Sequence, residues 1–266
     1  MHPMINMALR AGRRASQIII RSMDRLDLLS IEEKQKNDLV SEVDRNAESA
    51  IRETLQQAYP EHGFIGEESG ASREHADYTW IVDPLDGTTN FLQGIPHFCV
   101  SIALLYKGQL DQAVIIDPLA NEEFTASRGA GAQLNGKRLR VSTCNRLDEA
   151  VIGSGIPPRD VPLHLDVYMH ILKDLTRQAR GMRRSGSAAL DLAYVAAGRL
   201  DGFFETGLKS WDIAAGALLV QEAGGMVASL NGAEDYLQTG HVVAAGNRCF
   251  KPLLQAIHPH LTGDLV

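Results

Sequence analysis

The chain has 266 residues, of which 44% are hydrophobic and 22% are charged, and its formal net charge at pH 7 is -7. These values are typical of a globular protein that buries a large core, in one domain or in two tightly joined halves. The negative net charge gives no general attraction for nucleic acid, although arginines cluster at 10–25 and at 183–184.

The cysteines and the apolar runs indicate the compartment. Cys99, Cys144 and Cys249 are widely spaced and form no CxxC pair, which favours a reducing environment over a disulfide framework. No apolar run approaches the roughly 20 residues that a membrane span needs. Arg21 interrupts the apolar stretch after the twin arginine at 13–14, so we expect no export signal and a cytoplasmic protein.

The first half of the chain predicts two helices followed by a mostly antiparallel sheet. Helical periodicity covers about residues 4–26 and resumes after residue 44, while the polar residues 31–38 predict a mobile loop. Strand-like runs follow, and Asn135-Gly136 predicts a hairpin turn; these runs are Cys99–Tyr106, Gln112–Asp117 and Glu122–Ser127. Residues 1–145 therefore predict an α+β half.

The second half alternates helical and strand-like segments, which predicts an α/β half over residues 146–266. We expect helices over Leu163–Gln178, Ser187–Ala197, Trp211–Ala223 and Cys249–Ile257, and strands over Val151–Ile152, Leu200–Glu205, Met226–Leu230 and Val242–Ala245. No Gly/Ser/Pro-rich linker separates the halves, so we expect them to pack closely near residue 145 as a single unit.

The apolar run Trp80–Val82 ends in two aspartates, Asp83 and Asp86, followed by Gly87-Thr88-Thr89-Asn90. Carboxylates suit Mg²⁺ or Mn²⁺, and backbone N–H groups at a glycine turn suit phosphate. A simple turn is the alternative, but the fully apolar strand before it favours a functional site. Haloacid-dehalogenase-type phosphatases place their aspartates two apart, so a spacing of three argues against an aspartyl nucleophile.

Other acidic residues are ambiguous when each is considered alone. Glu67 and Glu68 lie between glycines after an apolar pair, and they are either a solvated pair or a carboxylate placed by a strand. Asp212, at the start of a helix, is either a helix cap or a metal ligand. Asp44 is either a cap or a partner of the Thr88 hydroxyl.

Taken together, Gly66-Glu67-Glu68-Ser69, Asp83-Pro84-Leu85-Asp86-Gly87-Thr88-Thr89-Asn90 and Trp211-Asp212-Ile213-Ala214-Ala215-Gly216 resemble the three acidic motifs of the inositol monophosphatase family. They occur in the same order and at suitable separations, and the resemblance spans nearly the whole chain. It is greatest to the bacterial SuhB-type branch. The resemblance implies a layered αβαβα sandwich and Mg²⁺-dependent hydrolysis of phosphate monoesters.

The resemblance also implies roles for individual residues. It assigns two or three Mg²⁺ ions to Glu67, Asp83, the Leu85 carbonyl, Asp86 and Asp212. It assigns activation of the attacking water to Glu67, Thr88 and Asp44. It assigns substrate contacts to Asp86, Gly87, Thr88, Gly186, Ala188 and Glu205.

The resemblance implies a myo-inositol phosphate as substrate. Histidinol phosphate, fructose 1,6-bisphosphate and 3′-phosphoadenosine compounds are alternatives within the superfamily. It also implies a homodimer and, for the SuhB-type branch, an antitermination role through NusA and RNA polymerase. The chain departs from the family pattern in two places. Lys34 and Lys36 compete for the position of a loop lysine, and Lys209-Ser210 replaces the His-Cys of animal enzymes.

Overall fold

Two large sheets, of eight and five strands, organise the molecule. The computed structural model describes residues 2–24, 26, 31–35, 38–73, 75–156 and 162–265. The eight-stranded sheet has the order β10-β9-β8-β7-β6-β5-β3-β4, and the five-stranded sheet has the order β12-β11-β13-β15-β14. A separate antiparallel hairpin pairs β1 with β2.

The eight-stranded sheet and three helices come from the first half of the chain. Its elements are α1 (Pro3–Met23), β1 (Ile31–Gln35), β2 (Asp38–Ser41), α2 (Glu42–Ala58), β3 (Gly63–Gly66), β4 (Gly70–Ser72), β5 (Tyr78–Asp86), α3 (Thr88–Leu92), β6 (Cys99–Tyr106), β7 (Gln109–Asp117), β8 (Glu122–Ser127), β9 (Gly131–Leu134) and β10 (Lys137–Arg138).

The five-stranded sheet and its helices come from the second half. Its elements are β11 (Val151–Ser154), α4 (Pro162–Gln178), β12 (Gly181–Arg183), α5 (Ala188–Ala196), β13 (Gly202–Glu205), α6 (Ser210–Glu222), β14 (Gly225–Ala228), α7 (Tyr236–Thr239), β15 (Val242–Gly246) and α8 (Asn247–Ile257).

Three hydrophobic clusters separate five layers. The first lies between the α1–α2 pair and the eight-stranded sheet. The second surrounds α5 and α6, which lie between the two sheets, and the third lies between the five-stranded sheet and the outer helices α4 and α8. The predicted αβαβα sandwich is therefore confirmed. No helix in the described ranges is both long and apolar enough to span a bilayer.

The central strands are mostly apolar because both of their faces are covered. On β5, Trp80 and Val82 pack in the cluster under α1 and α2, whereas Ile81 packs in the cluster around α5 and α6. Successive side chains of a strand point to opposite faces, so a strand between two helical layers needs apolar residues at every position. This explains why the sequence of β5 shows no alternation.

Several elements differ from the sequence prediction. Residues 31–35 pair with 38–41 as a hairpin, where a loop was predicted, because backbone pairing does not require apolar side chains. The sequence also gave no signal for β12, a three-residue strand at the sheet edge, or for the short helices α3 and α7. Lys36 lies outside the described residues and Lys34 falls within β1, so the loop-lysine role stays a prediction.

Candidate metal centre

A β-bulge brings Asp83 and Asp86 together. In the pairing of β5 with β6, Asp83 lies opposite Ser101 and Asp86 lies opposite Cys99, so the strand gains a residue between them. A bulge bends a strand and redirects its side chains. Asp83 Oδ1 also accepts a hydrogen bond from the Leu85 N–H at 2.9 Å, which holds the turn. The side chains of Asp83 and Asp86, three positions apart in the sequence, are therefore brought together.

Strand β3 places Glu67 beside this turn. β3 runs parallel to β5, with Gly66 opposite Val82, and the Glu67 N–H donates to the Val82 carbonyl at 3.2 Å. The Glu67 side chain is near enough to the Asp83 carboxyl group to help raise its pKa, after the effect of burial. A strand thus delivers this carboxylate to a fixed position, which is the second of the two alternatives considered for Glu67.

Asp212 reaches the same point from α6. It is the third residue of that helix, and its Oδ2 accepts a hydrogen bond from the Lys209 N–H at 2.7 Å. Its carboxyl group also offers an oxygen within 4.8 Å of carboxylate oxygens of Asp83 and Asp86. Asp212 therefore caps the helix and contributes to the acidic cluster at the same time, because a carboxylate has two oxygens.

The three aspartates form one tight cluster: Asp83, Asp86 and Asp212 each offer a carboxylate oxygen, and these oxygens lie within 4.8 Å of one another. Burial and the neighbouring Glu67 charge raise the pKa of Asp83 well above its usual range. Burial and the Asp86 charge raise the pKa of Asp212 to about 7. Burial raises the pKa of Asp86, although its hydrogen bond from Ser187 opposes this.

These pKa shifts show that the cluster is unfavourable for ionised carboxylates without a compensating positive charge. The donors are all hard oxygens, and the Leu85 carbonyl lies in the same turn. Neither thiolate nor imidazole belongs to the acidic cluster found within the described residues. The donor set fits Mg²⁺ or Mn²⁺ and does not resemble a zinc site.

A threonine and a buried aspartate lie beside the cluster. Thr88 Oγ1 lies 3.0 Å from both Asp44 Oδ1 and the Leu85 carbonyl oxygen, and its hydroxyl proton can be donated to either. Asp44 is almost completely buried in α2. The pair that sequence alone could not bring together is thus in direct contact.

A cavity of about 160 Å³ adjoins the acidic cluster. Its walls bring together two of the aspartates and all the predicted substrate residues from the second half of the chain; they include Asp86, Asp212, Gly186, Ala188 and Glu205. Burial and the charges of Asp212 and Asp86 raise the pKa of Glu205 well above its usual range. Arg184, whose role the sequence left open, also lines this cavity and opposes that shift.

Gly87 lies where the chain turns from β5 into α3. Its φ of 94° falls in the left-handed region, and a Cβ at this position would lie 3.0 Å from the His97 carbonyl oxygen. Glycine meets both requirements because it has no Cβ. The turn therefore approaches the 185–188 segment closely, with the Gly186 carbonyl oxygen 3.3 Å from the same point.

Sequence reasoning missed two supporting residues. Glu48 accepts hydrogen bonds from the N–H groups of Glu68 and Ser69, both at 2.8 Å, and so fixes the turn that carries Glu67. Its spacing of four from Asp44 places both acids on one helix face, a signal that could have identified it. Ser187, the N-cap residue of α5, donates from its Oγ to Asp86 Oδ2 at 2.6 Å.

The comparisons with known proteins agree with this geometry. A sequence profile described as the inositol monophosphatase family matches residues 1–262. A Pseudomonas aeruginosa protein named Nus factor SuhB is 55% identical over 269 residues, covering 100% of this chain and 99% of that protein.

Two solved structures illustrate the similarity of fold. The crystal structure of the extragenic suppressor protein SuhB from Bartonella henselae superposes with a TM-score of 0.93 at 42% identity, covering 96% of this chain and 98% of that one. An inositol monophosphatase from Anabaena superposes with a TM-score of 0.86 at 33% identity, covering 96% and 94% respectively.

Proposed function

Because this chain belongs to the inositol monophosphatase family, we propose that it is a Mg²⁺-dependent phosphate monoester hydrolase that acts on a myo-inositol phosphate. The observation that carries the proposal is the convergence of Asp83, Asp86 and Asp212 within 4.8 Å beside a polar cavity. Hard oxygen ligands next to a small polar cavity suit a divalent cation and a hydroxylated phosphate ester.

We assign the first ion to Glu67, Asp83 and the Leu85 carbonyl, and the second to Asp83, Asp86 and Asp212. Phosphate monoesters hydrolyse so slowly in water that catalysis must supply about 20 kcal/mol or more. Bound Mg²⁺ supplies charge neutralisation of the phosphate, a lowered pKa for a coordinated water, and stabilisation of the leaving oxygen. We propose that each site binds two or three Mg²⁺ ions.

The side chains of this protein orient the attacking water. With its proton donated to Asp44, Thr88 Oγ1 has a lone pair that can accept a hydrogen bond from water, and we assign Glu67 as the third residue that activates this water. Hydrolysis by direct attack of this water requires no covalent enzyme intermediate. The bulge geometry supports this view, because both aspartates of the 83–86 turn are directed into the acidic cluster.

The substrate is proposed to occupy the cavity of about 160 Å³. Gly87 and Thr88 would hold the phosphate through their N–H groups, while Asp86, Gly186, Ala188 and Glu205 would contact the ring. Acidic side chains accept hydrogen bonds from hydroxyl groups, which favours a polyol over an apolar leaving group. Lys209-Ser210 precedes Asp212, and we propose that the basic Lys209 side chain influences which ring is accepted.

The experiment that tests this proposal is a panel of Mg²⁺-dependent phosphate-release assays. The panel compares myo-inositol 1-phosphate with histidinol phosphate, fructose 1,6-bisphosphate and a 3′-phosphoadenosine compound. We expect the highest kcat/KM for the inositol phosphate. A higher value for another ester would keep the reaction class and change the substrate, whereas no release from any ester would overturn the proposal.

A second candidate function rests on the name of the relatives. The protein that is 55% identical is called a Nus factor, so we propose an additional antitermination role through NusA and RNA polymerase. The basic first helix contributes less than its sequence suggested, because Arg13 pairs with Glu123 and Arg14 pairs with Glu53. Exposed Arg183 remains a candidate contact.

A pull-down of NusA with wild type and with Asp83→Asn tests this second role. Equal NusA binding by both proteins would separate the antitermination role from catalysis, and no binding by either would overturn that role.

A homodimer is also proposed, and its mass in solution can be measured by light scattering in the same preparations.

A further inference from the structure

Asn90 ends the acidic motif of β5 and α3 and has no role in the chemistry proposed above. Its side chain is buried in α3, and its Nδ2 donates to the His97 carbonyl at 2.7 Å and to the Ser185 carbonyl at 2.9 Å. Both amide protons therefore point at carbonyl oxygens. Since a carbonyl can only accept, the group between them must be the NH₂ and not the amide oxygen.

These two hydrogen bonds join parts of the chain that are far apart. Ser185 is 95 positions after Asn90 and precedes α5, whereas His97 lies in the loop between α3 and β6. The backbone of Asn90 also takes part, because its carbonyl accepts from the Ile95 N–H at 2.8 Å. Asn90 thus connects the turn that carries Asp86 to the segment before α5.

The Asn90 amide lies so close to position 186 that only glycine fits there. Gly186 has a φ of 92°, and a Cβ there would lie 2.9 Å from Asn90 Nδ2. The Asn90 amide therefore packs directly on the backbone of the 185–188 segment. A side chain of another shape at position 90 would change the position of that segment.

The 185–188 segment in turn holds a proposed metal ligand. Ser187 Oγ donates to Asp86 Oδ2 at 2.6 Å, and the Ala189 N–H donates to the same oxygen at 2.7 Å. These two donors hold Oδ2 and so fix the orientation of the whole Asp86 carboxylate. Partners of this kind orient metal-binding carboxylates, and their loss typically weakens metal binding about 10- to 100-fold.

Asp191 lies next to the same two residues. It is almost fully buried in α5 with Oδ1 3.9 Å from His97 Nε2, and burial raises its pKa while the Ser185 side chain acts to lower it. Ser185 and His97, the two residues that Asn90 binds through their carbonyls, are therefore also the neighbours of Asp191.

We propose that Asn90 is a positioning residue that sets the metal affinity of the acidic cluster by fixing Ser187 against Asp86. The inference rests on the proposed function for the identity of the metal site, but it concerns only how this chain orients Asp86. We expect loss of the Asn90 amide to weaken metal binding because Ser187 is displaced, and not because the fold is less stable.

The test measures Mn²⁺ binding to the full-length, substrate-free protein by isothermal titration calorimetry. Asn90→Ala should raise the Kd about 10- to 100-fold. The matched control is Thr89→Ala, which removes an exposed side chain one position earlier in the same helix and should bind like wild type. If Asn90→Ala does not fold, Asn90→Ser provides the test, because one hydroxyl proton can replace only one of the two donors.

A double-mutant cycle with Ser187→Ala separates positioning from a general structural role. If Asn90 acts through Ser187, the double variant binds Mn²⁺ about as weakly as the weaker single variant. Fold-changes that multiply, or an Asn90→Ala protein that binds like wild type, would overturn the inference. Wild-type protein that binds Mn²⁺ without releasing phosphate would overturn the proposed function alone, and wild type that binds no Mn²⁺ would overturn both.

Discussion

Thr88 and Asp44 are 44 positions apart in the sequence, yet Thr88 Oγ1 lies 3.0 Å from Asp44 Oδ1 beside the acidic cluster. The aspartate is buried in α2 and the threonine begins α3, so the contact forms only when the first two layers pack together. The geometry supports the proposed role of this pair in orienting the attacking water.

Replacing the Thr88 hydroxyl tests that role. Thr88→Val keeps the shape of the side chain and removes its hydrogen-bonding group, so we expect kcat to fall about 100- to 10,000-fold. Thr88→Ser keeps the hydroxyl and should retain most of the activity. Mn²⁺ affinity should be unchanged in both variants; a Thr88→Val protein with wild-type kcat would rule out this assignment.

The crowding of carboxylates predicts that the metal-free site destabilises the fold. Asp83→Asn removes one buried acid whose neighbours repel it, so the metal-free variant should unfold at a higher temperature than metal-free wild type. For a protein of this size, each kcal/mol corresponds to about 2 to 4 °C in Tm. Differential scanning calorimetry in EDTA measures the difference.

Added Mg²⁺ should reverse this order, because the ion stabilises the folded state only where its ligands are complete. The Tm of wild type should rise with Mg²⁺ concentration, and that of Asp83→Asn should change little. Equal Mg²⁺-dependent shifts in the two proteins would contradict the assignment of Asp83 as a metal ligand.

Asp191 predicts a dependence of stability on pH. Burial raises its pKa to about 7, so the folded state holds a proton that the unfolded state releases near pH 4. The free energy of unfolding should therefore fall as pH rises from about 4 to about 7, by an amount of the order of 4 kcal/mol for this group. The groups that act on or lie near the Asp191 carboxyl include His97, Arg184, Ser185, Asp86 and Glu205.

Urea unfolding across this pH range, in wild type and in Asp191→Asn, checks the prediction. The amide cannot ionise, so the variant should lose this part of the slope and gain stability relative to wild type above pH 7. An identical slope in both proteins would show that Asp191 is not the group responsible.

A substitution at Gly155, which is not a proposed metal ligand, tests the proposed contact between Glu205 and the substrate. Gly155 follows β11, and a Cβ at this position would overlap the Glu205 carboxylate. Gly155→Ala should displace Glu205 and raise the KM for inositol phosphate several-fold while leaving Mn²⁺ affinity unchanged. The matched control is Gly181→Ala, a glycine whose φ also lies outside the left-handed region and whose added Cβ would meet only the end of the flexible Arg183 side chain, at 3.3 Å. Unaltered KM in Gly155→Ala would argue against a Glu205–substrate contact.

Much of the fold was predictable from local pattern. The periodicity of α1 and α2 and the continuous apolar strands β5 to β7 follow from burial on one face or on both faces. The pairing of residues 31–35 with residues 38–41 was not predicted from the sequence pattern, since backbone pairing does not require apolar side chains.

The site was predictable only in part. Asp83 and Asp86 are close in sequence, and the glycine turn after them is a local signal. The contacts of Glu48 with the 68–69 turn and of Asn90 with Ser185 depend on packing between distant segments, so no local pattern specifies them. A buried amide in a motif looks like an ordinary turn residue until its two acceptors are known.

The proposed metal-dependent hydrolysis of a phosphate ester at this acidic cluster can be tested in a single assay. It measures phosphate release from myo-inositol 1-phosphate by wild type and by Asp83→Asn across a Mg²⁺ titration, with EDTA as the zero point. We expect release by wild type that requires Mg²⁺ and almost none by folded Asp83→Asn at any Mg²⁺ concentration. Release by Asp83→Asn at the wild-type rate, or release by wild type in EDTA, would contradict it.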